Sequence, residues 1–387
     1  MAGRKGSLEG VGMSVPFADS VKGRSVFITG HTGFKGSWLA LWLHRLGAKV
    51  TGYSLLPPTA PNHFVASSVK DVLESHYEAD VRNSSELHRA LKASAPDVVF
   101  HLAAQALVGE SYLSPRETFD VNIMGTACLL DGVRVLNRPC VVIIVTSDKC
   151  YEDQEQGRGC AEADPLGGHD PYSASKGAVE ILTAAYRRSF FGPQFLSKHG
   201  VKLATVRAGN VFGGGDWAKD RIVADMVKAL SVQTPIPVRH PDSVRPWQHA
   251  LEPLSGYLTL AGKMLESDNP QWCSAWNFGP LEGKMISVKQ FVETFCQAWG
   301  GGSWIDCSDT NSFHETAILR LTIEKATRML GWHPRWPWDQ AVARTARWYR
   351  TFYNGITSMR EVSEGDIAAY EEAPLQSANL EIVYECN

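Results

Sequence analysis

A tyrosine, a lysine, a hydroxyl and an acid stand in two short strings, Thr146-Ser147-Asp148-Lys149 and Tyr172-Ser173-Ala174-Ser175-Lys176. On a helix, the spacing of Tyr172 and Lys176 puts both side chains on one face. Tyrosine has a reference pKa near 10 and must lose its proton to act as a base near neutrality. One ammonium at about 4 Å, at an effective dielectric near 20, contributes on the order of 4 kcal/mol, or roughly three pKa units. A base of that kind takes the proton of an alcohol while a hydride leaves the same carbon. Ser147 adds a hydrogen-bond donor, and Asp148 with Lys149 can handle a further proton and a water.

The hydride needs an acceptor, and Gly30-His31-Thr32-Gly33-Phe34-Lys35-Gly36 is a seat for one. These glycines follow an apolar run of strand length and open a helical stretch, the context that makes a glycine pattern a dinucleotide site. Gly30 permits the tight turn, Gly33 a close backbone approach to a pyrophosphate, and Gly36 a helix lying close to the sheet. The helix N-terminus then offers N–H groups and partial positive charge to the phosphates. A P-loop is excluded, because it places glycine before lysine and here Lys35 precedes Gly36. The second strand ends Gly52-Tyr53-Ser54-Leu55, with neither the acid typical of NAD sites nor an arginine for NADP. Asp80 either binds the adenine amino group or caps a turn.

Apolar runs alternate with helical stretches through the first half. Strands are expected at Ser25–Thr29, Lys49–Leu55, Asp97–Ala103, Val141–Ser147 and Val201–Arg207, with an apolar helix at Ser37–Leu46. Runs apolar on both faces suit a parallel sheet covered on both sides, so the fold class is α/β, a doubly wound Rossmann sheet. Ser147-Asp148-Lys149 then end a central strand at its carboxyl side, where such sheets bind ligands. The expected organisation is a leader over 1–22, a dinucleotide-binding domain over 23–207 with segments returning from about 243–262, and a smaller substrate-binding domain over 208–355. From Ile356 the chain has seven carboxylates against one arginine and reads as a mobile acidic tail over 356–387. Met13 offers an alternative start.

The net charge of -3 gives no field that draws the 387-residue chain to nucleic acid or an anionic membrane, and no apolar run of about 18 residues appears. The first 22 residues lack the apolar stretch of a secretory signal. Eight cysteines stand singly, which implies a reducing compartment, the cytoplasm by default. The histidines show no metal-ligand spacing, so no metal is expected.

The strings together resemble the extended short-chain dehydrogenase/reductase family, and within it the 4,6-dehydratases of CDP-glucose. The residues that carry the resemblance are Gly30-His-Thr-Gly-Phe-Lys-Gly-Ser-Trp38, Thr146-Ser-Asp-Lys-Cys-Tyr151, Gly168-His-Asp-Pro-Tyr-Ser-Ala-Ser-Lys176, Arg207-Ala-Gly-Asn-Val211, Gly214-Gly-Asp-Trp-Ala-Lys-Asp-Arg221 and Arg245-Pro-Trp-Gln-His249. It runs from about Lys22 to Tyr353. The resemblance implies a lyase that binds NAD tightly and converts CDP-glucose to its 4-keto-6-deoxy form without net redox. Tyr172 takes the proton of the sugar 4-hydroxyl as hydride leaves C4, and Lys176 lowers the tyrosine pKa and binds the nicotinamide ribose. Ser147 bonds the same oxygen, Asp148 protonates the departing 6-hydroxyl, and the hydride returns to C6. Related sugar dehydratases carry a glutamate as C5 base in the slot of Lys149. This lysine is therefore either that base or a stabiliser of the enolate.

The expected cofactor contacts are Gly30, Thr32, Gly33, Phe34, Lys35 and Gly36, then Ser54, Asp80 and Val81, then Leu102, Ala103, Ala104 and Gln105, with Asn122, Tyr172 and Lys176. Arg221 and Arg245 are the candidates for the substrate diphosphate, since guanidinium forks match phosphate oxygens. Asn210 is expected at the sugar or phosphate, and His249 either touches substrate or packs beside Trp247. A homodimer or homotetramer is implied by the same resemblance. Two rival functions share the cradle. A nucleotide-sugar 4-epimerase has no need of Asp148 and Lys149, and a non-catalytic dinucleotide sensor has no use for Tyr172 and Lys176 together.

Overall fold

A computed structural model describes residues 17–152, 158–281, 286–308, 320–355 and 358–376. Seven parallel strands form the central sheet: β1 (Ser25–Thr29), β2 (Lys49–Ser54), β3 (Ser75–Glu78), β4 (Val98–His101), β5 (Cys140–Val145), β6 (Val201–Ala208) and β7 (Ala275–Phe278). Their order across the sheet is β7-β6-β5-β4-β1-β2-β3. The chain starts at β1, winds outward to β3, then returns past β1 through β4 and continues to β7. The order therefore reverses between β1 and β4, where open α/β sheets bind ligands.

Successive residues of these strands are buried on opposite faces, as parallel sheets require. Val26 and Ile28 join Phe100, Ile143 and Val206 in one core, whereas Phe27, Val99, Val142, Ile144 and Leu203 enter another. The first core is covered by α1 (Phe34–Arg45) and the long α6 (Leu251–Glu266). The second lies under α2 (Ser84–Ser94), α3 (Gly125–Leu136) and α4 (Pro171–Ser189). Beyond β6 come α5 (Ile222–Ser231), α7 (Val288–Trp299), α8 (Trp338–Asn354) and α9 (Met359–Glu372). Short two-stranded pairs tie this part together, among them Val211–Phe212 with Gln248–His249 and Val244–Arg245 with Ile286–Ser287.

The fold departs from the sequence expectations in three places. The segment returning to the sheet extends past 262, because β7 pairs with β6 from Thr205 to Ala208. The last residues of the expected leader are packed, with Phe17 and Val21 in the first core and Phe17 edge-on to Trp42; residues 1–16, Met13 included, lie outside the described residues. The expected acidic tail contains α9, whose Met359, Ser363, Ile367 and Tyr370 form a buried helical stripe. Polar residues interrupt that stripe and hid it. Ser363 Oγ accepts from Trp348 Nε1 at 2.9 Å, and buried Asp366 pairs with Arg344 at 3.0 Å and with Arg347. Residues 377–387 lie outside the described residues.

Candidate active site

The glycine loop leaves β1 and enters α1, whose N-cap, Gly33, makes no side-chain cap. Gly30 has φ +76°, and a Cβ there would stand 2.6 Å from the Ala103 nitrogen at the end of β4. A Cβ on Gly36 would lie 2.1 Å from the Gly30 carbonyl oxygen, so Gly36 closes the loop on itself and not on the sheet. The loop thus presents bare backbone at the reversal point of the strand order.

Thr32 Oγ1 meets Ser54 Oγ at 2.8 Å and donates to the Leu55 carbonyl at 2.9 Å, joining the loop to the end of β2. Asp80 holds a turn: its Oδ1 accepts from the Arg82 nitrogen at 2.8 Å, and its Oδ2 takes the Arg82 guanidinium at 2.6 Å. That bond keeps the carboxyl below its usual range. Arg82 also meets Glu117 at 2.9 Å and Asp120 at 2.8 Å. Val81 fills the space over Gly125. Leu102, Ala103, Ala104 and Gln105 line the exit of β4, where the Ala103 nitrogen donates to Thr29 Oγ1 at 3.2 Å. Buried Asn122 accepts from the Gln105 nitrogen at 2.8 Å and donates to Ser175 Oγ at 2.8 Å, coupling that exit to α4.

The candidate reacting groups meet at the carboxyl end of β5. Ser147 caps the turn Asp148–Cys150, accepting from the Lys149 nitrogen at 3.2 Å and donating to Asp148 Oδ1 at 3.0 Å. Asp170 caps α4 by accepting from the Ser173 nitrogen, and Pro171 occupies the first helical position, which fixes where Tyr172 emerges. Burial pushes the Tyr172 phenol up to about 12, opposed by its hydrogen bond to Ser147 and by the positive charge of Arg221. Burial, with the charge of Lys35 behind it, lowers Lys176 to about 8. Its Nζ donates to the Val145 carbonyl at 3.2 Å. Burial is thus the largest influence on both groups, raising the phenol and lowering the amine.

Asp148 is buried, its Oδ2 has no hydrogen-bond partner among the described residues, and burial raises its pKa against the pull of Lys149 and the Ser147 bond. A carboxyl whose protonated form burial favours, at the carboxyl end of a central strand, is placed to donate a proton. Lys149 is half-buried, with Asp148 within the field of its charge. A Cβ on Gly209 would reach Asp148 Oδ2 at 2.9 Å and Pro246 at 3.5 Å, so the segments carrying Asn210 and Arg245 converge on this acid.

Arg221 stands at the N-terminus of α5, half-buried, with Tyr172 and Lys35 within its field. The side chain of Phe34 lies against Gly213, at the start of the loop that leads to Arg221. His249 packs among aromatic rings. It is 1% exposed, lies 4.9 Å from Trp336 and 5.9 Å from Trp38, and burial lowers it to about 3.

Sequence reasoning missed two features. Lys35 was expected at the cofactor, yet its amino group lies 5.9 Å over the Tyr257 ring, where burial and Arg221 lower it to about 8 against the pull of Asp148. Glu180 was not singled out, although it continues the four-residue spacing of Tyr172 and Lys176. A separate cavity of about 450 Å³, lined by Trp299, Gly300, Arg350 and Tyr353 among others, touches none of the site residues.

A family model described as GDP-mannose 4,6 dehydratase matches residues 27–345. The chain belongs to that family. Among its 4,6-dehydratase relatives, the CDP-glucose 4,6-dehydratase of Salmonella typhimurium is 44% identical over 348 residues, covering 89% of this chain and 96% of the relative. The CDP-paratose 2-epimerase of Salmonella typhi is 25% identical and covers 84% and 98%. Among solved structures, a dTDP-glucose 4,6-dehydratase from Streptomyces venezuelae with NAD and TYD bound shares the fold at TM-score 0.71 and 20% identity, covering 86% of this chain and 99% of that one. The parallel sheet is thus the fold shared with the solved dehydratase. No helix among the described residues is long and apolar enough to cross a membrane.

Proposed function

We propose that this protein is a CDP-glucose 4,6-dehydratase, a hydro-lyase that forms CDP-4-keto-6-deoxy-glucose and water. The observation that carries the reading is Asp148. A buried carboxyl with one oxygen unpartnered among the described residues, beside Ser147 and within the field of Tyr172, suits a general acid that an epimerase does not need. The nucleobase rests on the relative from Salmonella typhimurium, which matches across nearly its whole length.

The cradle fits NAD. Gly30 and Gly36 keep side chains out of the loop, and α1 directs its N-terminus at it. Thr32, Gly33, Phe34, Ser54, Val81 and the exit of β4 from Leu102 to Gln105 would hold the cofactor. Arg82 is already matched by three carboxylates, which argues against a 2′-phosphate and for NAD over NADP. Bound there, the oxidised nicotinamide supplies the hydride acceptor and a positive charge.

In this reading Tyr172 takes the proton of the sugar 4-hydroxyl, and Ser147 holds the same oxygen by a hydrogen bond. Lys176 supplies an ammonium that favours the phenolate. Once C4 is a ketone, the proton at C5 becomes acidic, and Lys149 either accepts it or stabilises the enolate. Asp148 gives its proton to the departing 6-oxygen. Arg221 and Arg245 bind the diphosphate, and Asn210 the sugar or phosphate.

We also propose that the enzyme is a homodimer, because Leu113, Phe119, Met124 and Ile181 expose apolar side chains along the helices around α4. The seven free cysteines among the described residues suit a reducing compartment, the cytoplasm. The function is tested by offering the purified protein CDP-glucose, dTDP-glucose, UDP-glucose and GDP-mannose without added reductant. Loss of one water from CDP-glucose, in preference to the others, is the expected outcome. Isomerisation without loss of water would assign the site to an epimerase.

A further inference from the structure

Glu180 lies one turn beyond Lys176 on the same face of α4 and is buried against the sheet. Its Oε1 accepts from Thr146 Oγ1 at 2.6 Å and from Arg207 Nε at 2.8 Å. Its Oε2 accepts from Thr205 Oγ1 at 2.7 Å and from Arg207 Nη2 at 2.9 Å. Both members of the ion pair are 3% exposed. Arg207 Nη1 donates in turn to the Tyr151 hydroxyl at 2.6 Å, and that hydroxyl donates to Asn277 Oδ1 at 2.7 Å. Thr146 and Tyr151 bracket Ser147, Asp148 and Lys149. One carboxylate–guanidinium pair therefore grips both ends of the reacting segment and fastens it to the helix that carries Tyr172 and Lys176.

Stability does not account for this arrangement. Taking two charges out of water costs several kcal/mol per ion, and apolar residues of similar volume often hold a core as well or better. What apolar residues lack is direction. Four bonds to two carboxylate oxygens fix the register of α4 against the ends of β5 and β6, and a reacting group misplaced by about 1 Å can cost on the order of 100-fold in rate. The Glu180 charge also opposes the desolvation that lowers Lys176.

We propose that Glu180 and Arg207 are positioning residues for the dehydration, holding Ser147, Asp148 and Lys149 in place against Tyr172 and Lys176. The proposal rests on the dehydratase reading of the same site. Glu180→Ala would strand a buried guanidinium and report chiefly on folding, so the test uses Thr146→Val, which removes one bond to the carboxylate at nearly constant shape. Thr205→Val removes the matching bond from a strand position that carries no reacting group.

Thr146→Val is expected to lower kcat about tenfold or more with KM within about twofold, while Thr205→Val changes kcat far less at a similar loss of melting temperature. Amide exchange across residues 146–151 should rise about tenfold in Thr146→Val, whichever sugar the enzyme accepts. Equal losses of kcat in the two variants, or unchanged exchange at 146–151, would overturn the clamp. A wild-type enzyme that dehydrates no nucleotide sugar would instead overturn the functional reading, and the exchange measurement would still decide the clamp.

Discussion

In the proposed mechanism Tyr172 and Asp148 divide the proton work between a base and an acid, and burial raises the pKa of both. For the acid this is productive: Asp148 keeps its proton to a higher pH than an exposed carboxyl. The dehydration step should therefore slow as pH rises through the folded pKa of Asp148, and Asp148→Asn, which has no proton to give, should lower kcat by about 10²–10⁴. Rapid-quench analysis of that variant is expected to find a 4-ketone that retains its 6-hydroxyl; full turnover would remove Asp148 from the mechanism. For the base, burial works against function until further positive charge arrives, so Tyr172→Phe should cost about 10²–10⁴ in kcat while leaving substrate affinity nearly unchanged, as titration calorimetry would report. Arg221→Ala should act differently, raising KM about 10- to 100-fold through loss of a charge-assisted bond to phosphate. The residue types and spacing were enough to single out the tyrosine, lysine, serine and acid as candidates. Their charge states were not legible in the sequence, because desolvation depends on what the fold packs over them.

At the level of elements, the strands were legible because parallel pairing leaves nearly unbroken apolar runs, as in Cys140–Val145. Helix α9 was not, because its buried stripe includes Ser363 and Asp366, and their partners His63, Trp348, Arg344 and Arg347 are distant in sequence or on another helix. Removing its apolar anchor should be costly: Ile367→Ala is expected to destabilise by about 2–5 kcal/mol in a denaturant titration. The same helix is pinned by the Tyr370 hydroxyl, which donates to Glu252 on α6 at 2.5 Å. Burial raises Glu252 from 4.5 to about 7, so the folded state holds a proton that the unfolded state has released. Stability should then fall as pH rises from 4.5 to about 7 and stay lower above it. Glu252→Gln should flatten that fall, and an unchanged pH profile of the melting temperature would show that Glu252 does not titrate in this window.

Across the whole molecule, the strand order places the glycine loop, the exit of β4 and the Ser147 turn on one edge of a seven-stranded sheet. The chain beyond β6 brings Asn210, Arg221 and Arg245 to that edge and also returns β7 to the sheet itself. The return was hidden in the sequence, since Ala275–Phe278 is a short strand among loops with nothing local to mark its parallel partner. The central claim is an internal transfer, in which the hydrogen removed from C4 is the one delivered to C6. Its most direct test is mass and NMR analysis of the product formed from CDP-glucose deuterated at C4. The account predicts a product one water lighter that keeps the deuterium, now on the C6 methyl group. Deuterium lost to solvent, or found again at C4 of an isomerised sugar, would contradict it.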